Sequence, residues 1–386
     1  MLSVGANIWT PTRIGQSLTA QVQALFAAGR VGGMWDKGDI ATLFQDAATP
    51  VTAVTQPIGM VLDKSQGLVL GAELVTNGDF SGGTSGWVPR AGAATHAVVG
   101  GEMEVTAIAT SAQVTEQSFS VVSGRTYKVT GTMRAAGTNS VANSARISIA
   151  GASVFSLAQV SANGVQTPFS LFATANSSTF QVQLSVASLG AWGAIGDKAY
   201  FDNISIKELP GNHATQSTAI KRSLYQVVGG YGCAQFDATN DALLFPAITF
   251  GGAFNTFVAG KVTSGTQGVH LWRTADVNGT WAKYKSGDAT TPTGTGSGSP
   301  TYAVNGTALS PSQQGQLYTQ INGVDSVVES IGVVLTAETA LQMSGFAGSL
   351  FTGNAHRVLM ISDPLTAGEK LLCRQWAAEG NGVTVV

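Results

Sequence analysis

The sequence predicts an all-β chain built of β-sandwiches, with short helices only towards its two ends. Three observations carry this. Glycine supplies 48 of 386 residues and charged residues only 11%, a composition of turns and short strands rather than of long helices. From Gly71 to Leu209, strand-like segments recur at a spacing of roughly ten residues with no helical pattern between them. After Pro210 the same texture resumes and runs almost to the end of the chain.

In chain order, "SLTAQVQALFAAG" predicts an amphipathic helix with Ser17 as N-cap, Leu18, Val22, Leu25 and Phe26 on one side, and Gly29 ending it. Such a helix ahead of a complete domain has nothing evident of its own to cover, so residues 1–30 are read as a docking segment. A second short helix is expected at "GDIATLFQD", capped by Asp39. "HAVVGGEMEVTAIA" reads as a hairpin turning at Gly100 and Gly101, and "EQSFSVVSGRTYKVTGTMRA" as another turning at Ser123 and Gly124. "ARISIAG", "PFSLFATA", "FQVQLSVAS" and "KAYFDNISIKEL" add strands. Beyond Pro210, strands are expected at "AQFDATNDALLF", "FNTFVAGKVT", "GVHLWRTA", "TWAKYKS", "TYAVNGTAL", "GQLYTQING", "ALQMSGFAG" and "HRVLMISD". "SGDATTPTGTGSGSPT" is a low-complexity loop. "TAGEKLLCRQWAAEG" carries a capping box, Thr366 with Glu369, and predicts a helix before a last strand at "GVTVV".

Composition also excludes. A net charge of −2 offers no basic face for nucleic acid or an anionic membrane, and no window approaches 18 consecutive apolar residues. The N-terminus lacks a secretory pattern, so synthesis and folding in a cytoplasm are expected. Cys233 and Cys373 are too few for a disulfide framework and are expected to be buried thiols. His96, His213, His270 and His356 are scattered without metal-ligand spacing and read as surface or turn residues. Asp237 and Asp241 lie four apart across a turn and read as a capping pair, and no G-x-S-x-G elbow is present. No enzyme is expected.

Two resemblances refine this. "LVTNGDFSGGTSGW" (Leu74 to Trp87), "SGRTYKVTGTM" and "AYFDNISIKEL" resemble the carbohydrate-binding module family 4/9 jelly roll, over roughly Gly71 to Leu209. "DKS" (Asp63 to Ser65), "GNHATQ" (Gly211 to Gln216) and "FDATND" (Phe236 to Asp241) resemble the laminin-G or concanavalin-A-like sandwich of bacteriophage virion proteins, interrupted after its first turn. The implied fold is a jelly roll inserted in that sandwich, with boundaries 1–30 for the docking segment, 31–67 plus 210–386 for the outer sandwich and 68–209 for the insert. Ser65 and Gly211 should then be close neighbours.

The implied role is that of a non-enzymatic phage virion protein exposed on the particle surface, in a tail fibre, tail tip or capsid decoration, and contributing to adhesion to host-surface polysaccharide. Purely structural decoration is the alternative. A glycan-degrading tail enzyme, the second alternative, would need a Glu-x-Asp-x-x-Glu strand, which the sequence lacks. Other virion proteins and copies of the chain itself, a trimer above all, are the expected partners. Exposed aromatic residues hold sugars by stacking, and Trp192, Trp272, Trp281 and Tyr284 are the candidates, with Trp87 assigned to the core. The first resemblance also implies a structural calcium on Asp202 with Asn77 and Ser81, although Ser81 stands where that family has an acidic residue.

Overall fold

Alternating apolar and polar residues along the strands resolve into four antiparallel sheets that pair as two sandwiches. A computed structural model describes residues 16–153, 159–188, 190–237, 239–264, 269–274, 280–293, 300–310, 312–334, 341–343 and 352–386.

The jelly-roll sandwich has a six-stranded sheet in the order Ala152–Ser153, Thr167–Ala175, Thr126–Ala135, Lys198–Leu209, Glu102–Ala107 and Ala94–Val99. Its partner is a five-stranded sheet in the order Gln159–Ser161, Ala145–Ala150, Thr179–Val186, Val114–Ser120 and Val88–Pro89. Val129, Met133 and Phe201 from the first sheet meet Ile147, Phe180 and Val182 from the second in one dry core that also takes Phe80 and Trp87. Trp87 is 4% exposed, tilts against Phe80 and donates its indole N–H to the Asn77 carbonyl at 3.2 Å, which fits the core role expected of it. Gly78 sits where the first loop crosses the last strand. A Cβ there would lie 1.9 Å from the Ile204 carbonyl oxygen, so Gly78→Ala is expected to destabilise this sandwich by about 2 kcal/mol, read as a fall in the denaturant midpoint with the m-value unchanged.

The outer sandwich joins residues from both sides of that stretch. Its eight-stranded sheet runs Leu224–Val228, Tyr231–Asp237, Thr352–Ser362, Phe254–Ser264, Asp325–Val333, Thr301–Val304 and Thr307–Ala308, with Gly32–Asp36 also pairing to Thr352–Ser362. The facing sheet runs Leu43–Phe44, Met60–Val61, Ala214–Thr215, Leu243–Phe245, Leu341–Met343, Val269–Thr274 and Thr280–Tyr284. Among the described residues, the named strands between Val88 and Leu209 pair with one another, with one further bridge from Lys207 to Glu73, whereas Met60–Val61 bonds to Ala214–Thr215 across that stretch.

The described residues also form three α-helices: α1 (Leu18–Ala27), α2 (Gln314–Ile321) and α3 (Ala367–Glu379). Ser17 caps α1, and the Thr366 and Glu369 capping box closes on α3. Val22 and Phe26 of α1 pack with Trp376 and Ala377 of α3 and with Leu359, and the Trp376 indole donates to Thr19 Oγ1 at 3.1 Å. The apolar side of α1 is therefore covered by its own chain, which corrects the docking reading for that helix; residues 1–15 of the docking segment lie outside the described residues.

Other local expectations are also revised. "GDIATLFQD" forms a 3₁₀ turn at Ile40–Thr42 followed by the strand Leu43–Phe44, because the Asp39 carboxylate is held by Lys64 at 2.6 Å instead of capping. "GQLYTQING" is helical, with Gln314, Leu317 and Ile321 on its buried side at helical spacing. "GVTVV" forms no strand. Cys233 and Cys373 are free and buried.

The chain leaves for the jelly roll and returns from it at one carboxylate of the outer sandwich. Asp63, fully buried, accepts from Met34 N at 2.7 Å, Ser65 N at 2.8 Å, Ser65 Oγ at 2.9 Å and Asn212 N at 2.7 Å. Burial pushes its carboxyl upward, against the pull of these backbone donors and of His213. The Asp63 N–H donates to His213 Nδ1 at 2.9 Å and His213 Nε2 reaches the Leu209 carbonyl at 3.0 Å, an arrangement that fits a neutral imidazole. Burial holds that imidazole below its ordinary range. Ser65 and Asn212, the residues at which the chain leaves for the jelly roll and returns from it, thus bond to the same Oδ2. Below them, Phe44 meets Phe172 edge-on at 4.9 Å among Met60, Leu62 and Leu209. His213 and His356 are 6% and 1% exposed, so both are structural residues of the interior and not the surface residues expected.

Candidate functional site: the outer face of the five-stranded sheet

In "ARISIA", Ala145, Ile147 and Ile149 point into the core, which turns Arg146 and Ser148 outward. In "TFQVQLSV", Phe180, Val182 and Leu184 point inward and Gln181 and Gln183 outward. Register then sets these side chains in rows. Val88 pairs with Glu116, Glu116 with Gln183, and Gln183 with Ser148; beside that row Gln181 lies opposite Ser118.

The rows are tied laterally. Gln183 Nε2 donates to Gln181 Oε1 at 2.7 Å, Ser148 Oγ to Gln183 Oε1 at 3.4 Å, and Arg90 pairs with Glu116 at 2.8 Å. These contacts use only part of each amide's hydrogen-bonding capacity, so the face keeps donors and acceptors for a ligand.

Trp192 closes one end of this face. The chain leaves the strand Thr179–Val186, turns, and bridges back from Trp192 to Ala187, with Gly193 N on the Val186 carbonyl at 2.9 Å. Gln113 Nε2 fixes the return through the Gly193 carbonyl at 2.6 Å. The Trp192 ring is half-buried, and the Arg146 guanidinium lies over it, 5.2 Å from its centroid. Burial draws Arg146 below its ordinary value, and its Nε is buried without a hydrogen-bond partner. A held aromatic ring, a guanidinium and a line of amides together form a surface able to stack on one pyranose ring and hydrogen-bond its neighbours.

The other expected site residues fare differently. Tyr284 is fully buried in the outer core, near-parallel to Tyr318 at 6.4 Å, with its hydroxyl unpaired; its inward position on the edge strand removes it from any surface site. The backbones of Trp272 and Trp281 pair across two neighbouring strands, but their side chains lie outside the described residues. Asp241 Oδ2 accepts from Asp237 N at 3.0 Å, a turn contact, and burial pushes the Asp241 carboxyl up to about 6.

The calcium trio does not fit an ion that demands six to eight oxygens. The Asn77 amide is spent on Gly82 N and on the Gly83 and Ser85 carbonyls, and its own carbonyl takes the Trp87 indole. Ser81 Oγ donates to Asp79, while both Asp202 oxygens accept from Asn203. Burial raises the Asp202 carboxyl, and Glu102 and Asp79 raise it further. Among the described residues, no group of three or more His, Cys, Asp or Glu is placed to hold a metal.

Sequence reasoning picked out Trp192 and missed Arg146, Ser148, Gln181, Gln183 and Glu116. The signal was present in the alternation, where Arg146, Ser148, Gln181 and Gln183 alternate with the inward apolar residues of two neighbouring strands. It also missed the face of the opposite sheet, where Arg134 grips Glu102 and lies 3.7 Å over the Tyr200 ring, with Lys198 on Glu104 at 2.8 Å beside it.

A family model described as a carbohydrate binding domain matches residues 72–189. Among solved structures, one described as "CBM4 structure and function" is 15% identical, with 35% of this chain and 99% of that chain covered and a TM-score of 0.28. The CBM22-1 xylan-binding domain from Paenibacillus barcinonensis Xyn10C is 14% identical, with 36% and 97% covered and a TM-score of 0.28. The tandem CBM22-1-CBM22-2 domain of the same protein is 10% identical, with 81% and 100% covered and a TM-score of 0.30. No curated protein matches the chain.

Proposed function

We propose that residues 68–209 form a non-catalytic glycan-binding module whose ligand lies along the outer face of the five-stranded sheet, from Arg90 and Glu116 past Gln183 to Trp192. The observation that carries this reading is the amide-rich polar row ending in an aromatic ring held beneath Arg146. The family model matched over residues 72–189 supports it.

The finer proposal concerns the setting. The outer sandwich carries the "DKS", "GNHATQ" and "FDATND" segments that resemble phage virion proteins, so we place the chain on the surface of a phage particle, as a homo-oligomer that holds the module towards polysaccharide of the bacterial host. Gold-labelled antibody against the chain should decorate purified particles in electron micrographs, and bare particles would remove this setting while leaving the module's chemistry intact.

The binding claim is tested by calorimetric titration with xylo-oligosaccharides, cello-oligosaccharides and host surface polysaccharide. Trp192→Ala is expected to weaken the best of these roughly ten-fold or more while shifting the melting temperature little, since the ring is half-exposed. Gln183→Ala should weaken it less. A wild-type protein that binds none of the probes leaves the chain a purely structural decoration, and a Trp192→Ala protein that binds them unchanged removes the site from this face.

A further inference from the structure

Helix α2 buries Gln314, Leu317 and Ile321 and turns Gly315, Gln316, Thr319 and Gln320 the other way. Against that outward side lies the turn after Lys285. Its attachment is by backbone: Gly315 N donates to the Asp288 carbonyl at 2.7 Å, Gln314 N to the Thr291 carbonyl at 3.0 Å and Thr293 N to the Ser312 carbonyl at 2.9 Å. Gln314 Nε2 adds a bond to the Pro292 carbonyl at 3.1 Å. The approach is close enough to require glycine, because a Cβ on Gly315 would meet the Asp288 carbonyl oxygen at 2.6 Å.

The result is a cleft of about 410 Å³ between turn and helix. Its size falls within the range of about 300–1,000 Å³ typical of small-molecule sites. Its position is fixed by main-chain bonds, so it needs little ordering to receive a ligand.

The lining decides the ligand. Gln313, Gln316 and Gln320 present three amides, Thr319 a hydroxyl and Asp288 a carboxylate. The amides of Gln313 and Gln320 make no side-chain hydrogen bond among the described residues, and that of Gln316 only a long one, 3.4 Å, to the Ser310 carbonyl. Thr290 N and Thr291 N donate to Asp288 Oδ1, which keeps the carboxyl ionised down to about 2. The cleft thus has paired donors and acceptors beside one carboxylate, with polar and apolar surface in nearly equal share. Vicinal hydroxyls match such amides, the C–H faces of a sugar ring match the apolar share of the wall, and anions meet Asp288.

We infer that this cleft on the outer sandwich is a second saccharide site, specific for neutral sugars. It stands apart from the sheet face of the jelly roll and does not rest on that reading. It would allow one chain to hold a polysaccharide at two points, which raises avidity without a new contact at either.

The test uses full-length Trp192→Ala protein, in which the sheet-face site is disabled, titrated by saturation-transfer NMR with glucose, galactose, mannose, N-acetylglucosamine and glucuronate. Binding of at least one neutral sugar is expected. The added pair Gln316→Ala and Gln320→Ala should weaken it about ten-fold with an unchanged melting temperature, since both side chains are partly exposed. Asp288→Asn should raise glucuronate binding several-fold relative to the neutral sugar. No neutral sugar bound, binding indifferent to the glutamine pair, or glucuronate preferred by the parent would each overturn the proposal. Loss of oligosaccharide binding on Trp192→Ala alone reports on the sheet face and leaves this result separate.

Discussion

Asp63→Ala is expected to lower the stability of the outer sandwich by about 3–5 kcal/mol, the scale of breaking a buried charged network from one side. The substitution strands the N–H groups of Met34, Ser65 and Asn212 and the Ser65 hydroxyl at a fully buried position. Asp63→Asn should cost less, because one carbonyl oxygen survives while the new NH₂ faces N–H donors. Differential calorimetry checks both. The transition of the outer sandwich should move down by on the order of 10 °C in the alanine variant, while that of the jelly roll, whose core does not include Asp63, should move little. An alanine variant that melts like the parent would show that the four donors find other partners.

Lys37 gives the second large effect, and its sign is the opposite. Its side chain is fully buried, and Nζ has no hydrogen-bond partner. Burial drags the ammonium down to about 7, with Asp36 and then Cys233 opposing. Asp36 is itself engaged by Arg357 at 3.0 Å and lies 3.7 Å from Lys64, and its pull does not offset the burial of Lys37. An unfolded lysine keeps its proton up to a pH of about 10.4. Between about 7 and that value the unfolded state therefore holds more protons, and stability rises with pH by up to about 1.4 kcal/mol per unit. Below about 7 both states are protonated, and the whole cost of the buried charge is present. Lys37→Met removes the charge and keeps the stem. It is expected to stabilise the protein by about 1–4 kcal/mol at pH 7 and to flatten the rise towards pH 10, as read by urea unfolding across that range. An unchanged slope in Lys37→Met would place the titration elsewhere.

Legibility in the sequence followed the range of the interaction. The ends of α1 and α3 were readable because Ser17, Thr366 and Glu369 act on backbone groups within a few residues. The strands of the jelly roll were readable because one face of each is buried and the alternation is local. "GQLYTQING" was misread because a short segment with few apolar residues fits either period, and the choice is made by the core that receives Leu317 and Ile321. The glycan face was half legible. Trp192 stood out by its glycine neighbours, but the meaning of Gln181, Gln183 and Ser148 depends on strands brought into register from different parts of the chain. Tyr284, His213, His356 and Lys37 were illegible for the same reason, since burial is a property of the assembled sandwich and not of the residues beside them.

The shared Asp63 carboxylate also sets how the molecule carries load. Ser65 and Asn212 are bonded to one oxygen and Met60–Val61 pairs with Ala214–Thr215 beside them, so a pull that would part the two ends of the insert is resisted by the outer sandwich first. The jelly roll is mounted in parallel with that junction and not in series with it. A pull transmitted through the outer sandwich is then expected to leave the jelly roll undistorted for as long as that junction holds. If the junction yields and the insert unravels, on the order of 500 Å of chain becomes available as slack.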